Sequence, residues 1–276
     1  MFANLLALPF VFGALTCLYL AWSVDNKFAP YMIPFLIVGA AIYIMSPQIN
    51  WWWYSKNLPK LSEGLTKMLK RFCLFYQNLS AADKRKFEGR VGLFRMGTNW
   101  TPIGWPDDEL PPDVELVLAA QAVTLTFHRD TFLFPAFEKV IIYPKTFPSP
   151  EHPYPHSSEL YVEDGCLIFA AEHLMRAYFN PGQLYQVGLH EYAKAFVLAY
   201  PAEAWPALNG ENVWQDLETA SGMSREHAEN VVGLSGLDAL PVAIHHYFMF
   251  PMAFKKAFPE ASSQLDQIFS PKKSIE

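Results

Sequence analysis

The first fifth of the chain consists of two long apolar runs joined by a short turn. Residues 2–24 and 28–55 contain no formally charged side chain, and the turn between them carries one charge of each sign. Each run exceeds the ~20 residues that a helix needs to cross a hydrocarbon layer about 30 Å thick. The aromatic residues at 51–54 are typical of a bilayer interface. The pattern predicts a transmembrane helical hairpin over residues 1–55.

A cleaved leader or a pair of soluble core helices is the alternative for these runs. The first run lacks the basic start of a signal peptide, and no small-residue cleavage site precedes Asp25. We therefore expect a hairpin that is retained, with the lipid bilayer as the partner of residues 2–55. Small residues such as Gly13 and Gly39 would allow its helices to pack closely.

The charges after the second run predict an orientation. Residues 56–95 carry ten basic and three acidic side chains. Because basic flanks stay on the cytoplasmic side, both termini are predicted to be cytoplasmic, in a bacterial inner membrane. The segment 56–100 is interpreted as basic juxtamembrane helices, and nucleic-acid binding by this segment is the less favoured alternative.

The remainder of the chain, residues 101–276, has the opposite charge balance, with 10 basic and 23 acidic side chains. This acidic domain excludes bulk nucleic-acid binding and predicts a protein or small-molecule partner. Over the whole chain 51% of residues are apolar and 17% are charged, against roughly 25% charged in soluble proteins. Three cysteines at unrelated spacings exclude a disulfide framework.

Helices predominate in the pattern that follows residue 56, and one small sheet is predicted among them. Ser80 is a predicted N-cap for a helix over 81–94, and 139–143 is a β-branched strand. Segments 159–162 and 166–169 predict a hairpin, whereas 99–112 is predicted to be a loop. The other predicted helices are 56–78, 112–127, 183–199, 212–221, 224–233, 238–250 and 260–269. The fold class is therefore α+β.

The strongest chemical motif is His190-Glu191-Tyr-Ala-Lys194 on a predicted helix. Two histidines four residues apart share one helix face and can bind zinc, while a glutamate after the first activates water. Here Lys194 occupies the position of the second histidine. Taken alone, the motif favours a structural His–Glu pair on a helix, because such pairs are common.

Sequence blocks in a fixed order surround this motif. They include Ala119-Ala-Gln-Ala122, Ile141-Ile-Tyr-Pro144 and a later Val-Ala-Ile-His-His-Tyr-Phe-Met-Phe-Pro over 242–251. Together they resemble the Mlc titration factor A (MtfA) family of zinc metallopeptidases, or M90 peptidases. Its domain is similar to the catalytic domain of anthrax lethal factor, so the resemblance implies a zincin-like cytoplasmic domain. The likeness covers about residues 65–270.

The resemblance assigns roles position by position. The first zinc-binding histidine corresponds to His190, the catalytic glutamate to Glu191 and the second histidine to Lys194. The zinc-binding glutamate of the later helix corresponds to Asp238, and a second glutamate of that helix to His245. An ammonium group has no lone pair for a metal, so we expect Lys194 to replace the metal's charge between Glu191 and Asp238. The alternative is a remodelled zinc site of His190, Asp238 and His245.

Three functions follow from this comparison. The first is a degenerate peptidase without a cofactor that acts as a protein-binding, regulatory or accessory subunit of a membrane complex. The second is an active membrane-tethered zinc peptidase with Glu191 as general base. The third is a purely structural subunit. Three further histidines, His152, His156 and His173, are predicted to lie on the surface.

Overall fold

The computed structural model describes residues 2–270, and its internal contacts divide the chain into two compact units with the division between Pro59 and Lys60. The N-terminal unit is entirely helical. The C-terminal unit is a helix-rich α+β domain with one small sheet.

The N-terminal unit contains helices α1 (Phe2–Ser23), α2 (Met32–Ile44) and α3 (Ser46–Lys56), with a 3₁₀ segment at Asn26–Tyr31. Two stretches, Phe2–Ser23 and Asn26–Ile44, are long and apolar enough to cross a membrane, a property that signal sequences and core helices share. The charge-free run of residues 28–55 contains two α-helices, which are separated at Met45 (φ −87°, ψ 7°). Pro47 lies in the first turn of α3, where its missing N–H is tolerated.

Close contacts hold the N-terminal unit together. A Cβ atom on Gly13 of α1 would lie 2.5 Å from the Phe35 ring of α2, so only glycine permits this approach. The buried side chain of Asn50 accepts a hydrogen bond from the Ala3 N–H at 2.9 Å. The rings of Phe2 and Trp53 stack with their centroids 3.9 Å apart.

The C-terminal unit contains a four-stranded sheet of β1 (Asn99–Pro102), β2 (Lys139–Tyr143), β3 (Ser158–Tyr161) and β4 (Cys166–Ala170) in the order β1-β2-β4-β3. Strands β1, β2 and β4 are parallel, and β3 pairs with β4 as the predicted antiparallel hairpin. The predicted loop is wrong over β1. The prolines of residues 99–112 favour a loop in the sequence. β1 nevertheless forms at the edge of the sheet, where a proline is tolerated at the end of a strand.

The C-terminal unit also contains eleven α-helices among the described residues. They are α4 (Glu63–Phe72), α5 (Leu74–Gln77), α6 (Ala81–Gly97), α7 (Pro112–Thr126), α8 (Ala171–Tyr178), α9 (Val187–Ala199), α10 (Val213–Ser221), α11 (Arg225–Val232), α12 (Ala239–Met249), α13 (Pro251–Ala257) and α14 (Pro259–Phe269). The predicted N-cap is confirmed, since Ser80 Oγ accepts a hydrogen bond from the Asp83 N–H at 3.1 Å. Helices α8 and α13 were not predicted, because both are short and directly follow another element.

Helix α7 is the centre of the core. Every residue from Leu116 to Thr126 is buried, and the helix packs against α6, α8 and α9. The basic segment contributes to the same core through Leu69 of α4 and Phe87 of α6. Helix α9 lies between α7 and α12 and also contacts β3. At Gly188 a Cβ atom would lie 2.0 Å from Gln121 Oε1, so α9 requires glycine to approach α7.

Candidate functional site

The residues of the sequence motif lie on the buried face of α9. Glu191 is completely buried, with Oε1 accepting a hydrogen bond from Ser158 Oγ of β3 at 2.9 Å. Its other oxygen, Oε2, lies 2.8 Å from Lys194 Nζ, and the Lys194 side chain is 29% exposed. The carboxylate is therefore held between a strand hydroxyl and an ammonium group of its own helix.

The electrostatics of Glu191 follow from these two contacts. Burial raises the pKa of its carboxyl group, but the Lys194 and His190 charges and the hydrogen bonds from Lys194 and Ser158 reverse that effect and lower the pKa below its ordinary value. The group is thus kept ionised in a dry environment, since a nearby cation stabilises the charged form.

His190 is buried next to this ion pair. Its Nδ1 lies 2.7 Å from the hydroxyl of Tyr185, and among residues 2–270 its Nε2 has no hydrogen-bond partner. Burial lowers the pKa of His190 to about 4, with the Lys194 charge acting in the same direction and the Glu191 charge opposing them. The imidazole is therefore neutral at pH 7.

His245 of α12 is buried near His190, but its ring nitrogens are already engaged. Nε2 accepts a hydrogen bond from the Gln186 backbone N–H at 3.0 Å, and Nδ1 lies 2.9 Å from His246 Nδ1. The Tyr185 ring contacts both histidines, with centroid distances of 5.5 Å to His190 and 4.2 Å to His245. Burial lowers the pKa of His245 well below its ordinary value, so it is neutral as well.

Asp238 lies apart from these buried groups. It is exposed at the start of α12, where its side chain makes no capping hydrogen bond. It lines a pocket of about 410 Å³ together with Lys194 and Leu240. Among the ion pairs of residues 2–270, Lys194 is joined to Glu191 and not to Asp238. Lys194 therefore contacts Glu191, while the exposed Asp238 is not among its described ion-pair partners.

These donors do not fit a catalytic zinc ion. Such a site needs three protein ligands and a water. His190 offers a free Nε2, but the next position is a cation, the His245 Nε2 lone pair is used by a backbone N–H, and Asp238 is exposed. A zinc ion here would require loss of the Lys194 proton and of the hydrogen bond to His245.

Sequence reasoning missed two members of this site and misplaced one histidine. Ser158 and Tyr185 complete the contacts of Glu191 and His190, yet neither has a fixed spacing from the motif that would identify it. The prediction that His156 lies on the surface is wrong, because it is 1% exposed. His152 and His173 are partly exposed.

The comparisons with known proteins concern the same region of the chain. No match was found among curated proteins. A sequence profile of the glucose-regulated metallo-peptidase M90 family matches residues 50–199. This range includes His190, Glu191 and Lys194 and ends before Asp238 and His245. Because the matched range is more than half of the chain, the protein belongs to the M90 metallopeptidase family, for which zinc is the implied metal.

Proposed function

We propose that this protein is a membrane-anchored M90 family member that has lost zinc-peptidase chemistry and acts as a protein-binding, regulatory or accessory subunit of a membrane complex. The observation that carries this proposal is the 2.8 Å ion pair between Lys194 Nζ and Glu191 Oε2 inside the α9 site. Lys194 stands where the resembled family has its second zinc-binding histidine.

The ion pair opposes both requirements of a zinc peptidase. A positive charge fixed beside His190 repels a divalent cation and cannot replace a lost lone pair. A general base works best with a pKa near the operating pH, whereas the contacts of Glu191 lower the pKa of its carboxyl group. Glu191 is thus a weak base with both oxygens engaged.

A binding role is supported by the charge of the C-terminal part. Residues 101–276 carry an excess of 13 acidic side chains, which favours a protein partner with a basic surface. The namesake of the resembled family binds a transcriptional repressor, which is also a protein-binding activity. The pocket lined by Lys194 and Asp238 lies at the surface next to the ion pair, where a partner could contact the Lys194 side chain.

Membrane anchoring is supported by the apolar N-terminal helices. α1 exposes Leu5, Phe12 and Tyr19, and α2 exposes Ile33 and Ile37. Apolar patches of this size are unfavourable in water and suit a hydrocarbon environment. The ten basic side chains of residues 56–95 then favour the cytoplasmic side for the C-terminal unit.

An active zinc peptidase with an altered ligand set is the second candidate. The observation in its favour is His190 Nε2, a buried nitrogen without a hydrogen-bond partner among the described residues. Glu191 would be the base in that case, after separation from Lys194.

Two measurements on the purified full chain distinguish these candidates. We expect the His190→Ala variant to bind as much zinc as the wild type, and we expect no peptide cleavage that depends on Glu191. One zinc ion per chain lost in His190→Ala would contradict the proposal. Cleavage of a peptide library that Glu191→Gln abolishes would contradict it independently.

The binding role is tested by chemical cross-linking of the full chain in its native membrane. We expect one defined protein partner, captured equally by the wild type and by Glu191→Gln. A partner that the Glu191→Gln variant traps more strongly would instead behave as a peptidase substrate. A chain that is washed from membranes by alkaline carbonate would contradict anchoring.

A further inference from the structure

A group of three side chains of the types that bind metals lies where the loop before β3 meets that strand. Glu151, His152 and Glu159 each offer one ligand atom, and these three atoms lie within 4.8 Å of one another. Ser158, the neighbour of Glu159, contacts the α9 site. Since successive strand residues point to opposite faces, Glu159 faces away from that site.

Backbone contacts hold the loop of residues 147–156 over β3. Its ends are closed by two hydrogen bonds between Phe147 and His156, with N···O distances of 3.1 and 3.0 Å. Within the loop, the Ser149 N–H donates to His152 O at 2.9 Å and the His152 N–H donates to Ser149 Oγ at 3.1 Å. The position of the His152 backbone is therefore defined by the loop itself.

Glu159 is a buried carboxylate with one oxygen left over. Its side chain is 3% exposed, and Oε2 lies 3.0 Å from His156 Nε2. Among residues 2–270, Oε1 has no hydrogen-bond partner, and His152 Nε2 lies 4.0 Å from it. A buried carboxylate oxygen without a partner is costly, and this one faces the other two side chains of the cluster.

His156 holds the Glu159 carboxylate through Oε2 and so sets the direction of Oε1. Its Nδ1 lies 3.0 Å from the Tyr154 carbonyl oxygen while Nε2 contacts Glu159, and its ring packs edge-on against Phe147. A histidine that holds a carboxylate in this way is typical of the residues that orient metal ligands. His156 is a positioning residue of the cluster.

We propose that Glu151, His152 and Glu159 bind one divalent metal ion such as Zn²⁺. Glu159 would be the ligand whose position is already set by the protein. One imidazole nitrogen and two carboxylate oxygens are donors that Zn²⁺ accepts, and three protein ligands leave a position for water. Glu151 is exposed and His152 partly exposed, so their side chains are free to close on the ion. The ion would tie the loop to β3.

The test uses the full chain in detergent, stripped with a chelator and dialysed against micromolar Zn²⁺. We expect the double variant Glu151→Gln/His152→Gln to bind one zinc ion per chain fewer than the wild type. The matched control is Glu226→Gln/His227→Gln, an exposed acid–histidine pair on α11, which should bind as much zinc as the wild type. Glu159→Gln should also lose one ion, and the double variant decides the result if Glu159→Gln does not fold.

The thermal transition provides a second readout. Zinc should raise the Tm of the wild type and of the control pair, and the shift should be lost in Glu151→Gln/His152→Gln. Equal zinc content in the double variant and the wild type would overturn the proposal, as would an equal Tm shift. The His190→Ala variant reports on the α9 site alone, so the two sites are tested separately.

Discussion

The α9 site, with His190, Glu191 and Lys194, and the loop–β3 cluster of Glu151, His152 and Glu159 both contain histidine and glutamate but differ in how the carboxylate charge is balanced. On α9 the buried carboxylate of Glu191 is paired with Lys194, four residues after His190 on the same helix. At β3 the described ion-pair partners of Glu159 are the histidines His152 and His156. A fixed ammonium balances Glu191 internally, whereas the second group holds two carboxylates, Glu151 and Glu159, and its described ion-pair partners are histidines only.

Acidification is expected to have the largest effect on the free energy of unfolding, because it protonates buried histidines in and next to the α9 site. Burial lowers the pKa of His190 and of His246 to about 4. The ordinary pKa of histidine is about 6.5. Between pH 6.5 and 4 the unfolded chain therefore binds more protons than the folded chain, so the stability that the neutral histidines contribute above pH 6.5 is lost as the pH falls. This amounts to about 3 kcal/mol for each histidine.

Thermal unfolding of the full chain between pH 7.5 and 4.5 measures this effect. The pKa of Glu191 is lowered, so its carboxylate stays ionised in this pH window and does not change the stability there. The decline in Tm should be shallower in His190→Gln and unchanged in His227→Gln, whose side chain is exposed. A wild-type Tm that does not depend on pH in this window would be inconsistent with neutral buried histidines.

Removal of the internal cation is expected to have the next largest effect. Lys194→Met leaves the buried Glu191 carboxylate unpaired, which should lower the free energy of unfolding by about 3 kcal/mol, at the low end for a broken buried pair. The low end applies because the Lys194 side chain is 29% exposed. Chemical denaturation at pH 7.5 measures the change.

Two variants control this prediction. Glu191→Gln/Lys194→Met should recover most of the stability, since no buried charge then lacks a partner. Lys255→Met removes an exposed lysine from α13 and should have almost no effect. If Lys194→Met is as stable as the wild type, the ammonium does not neutralise the site.

Zinc at the loop–β3 cluster should have an effect of similar size. A ligand at 100 times its Kd stabilises the native state by about 2.7 kcal/mol. At that concentration, the zinc-dependent part of the free energy of unfolding should vanish in Glu151→Gln/His152→Gln and persist in Lys194→Met. Isothermal titration with Zn²⁺ provides the Kd. If Glu151→Gln/His152→Gln and Lys194→Met release the same heat, zinc does not bind specifically at the loop–β3 cluster.

The smallest expected effect separates the two faces of β3. Ser158→Ala removes the hydrogen bond to Glu191 and should cost about 1.5 kcal/mol, the low end for a hydrogen bond to a charged group. Because Ser158 points away from Glu159, zinc binding should be unchanged. Denaturation and zinc titration of the same variant test both statements, and altered zinc affinity would show that the sites are coupled.

Much of the secondary structure follows from local pattern. Ser80 begins a helix and the run 139–143 is a strand as predicted, because capping and β-branching act between near neighbours in sequence. The strand Asn99–Pro102 was missed, because it exists only through pairing with β2. The break at Met45 was also missed in a continuously apolar run.

The sequence by itself determined the apolar N-terminal helices, the α+β class and the family, and membership of the M90 family supports a zincin-like fold. It also placed Glu191 and Lys194 on one helix, since residues three apart share a face. Only the tertiary structure decided that Ser158 and Tyr185 complete the site and that Asp238 remains outside it. Burial and long-range hydrogen bonds depend on how α9, α12 and β3 pack, and no spacing along the chain encodes those contacts.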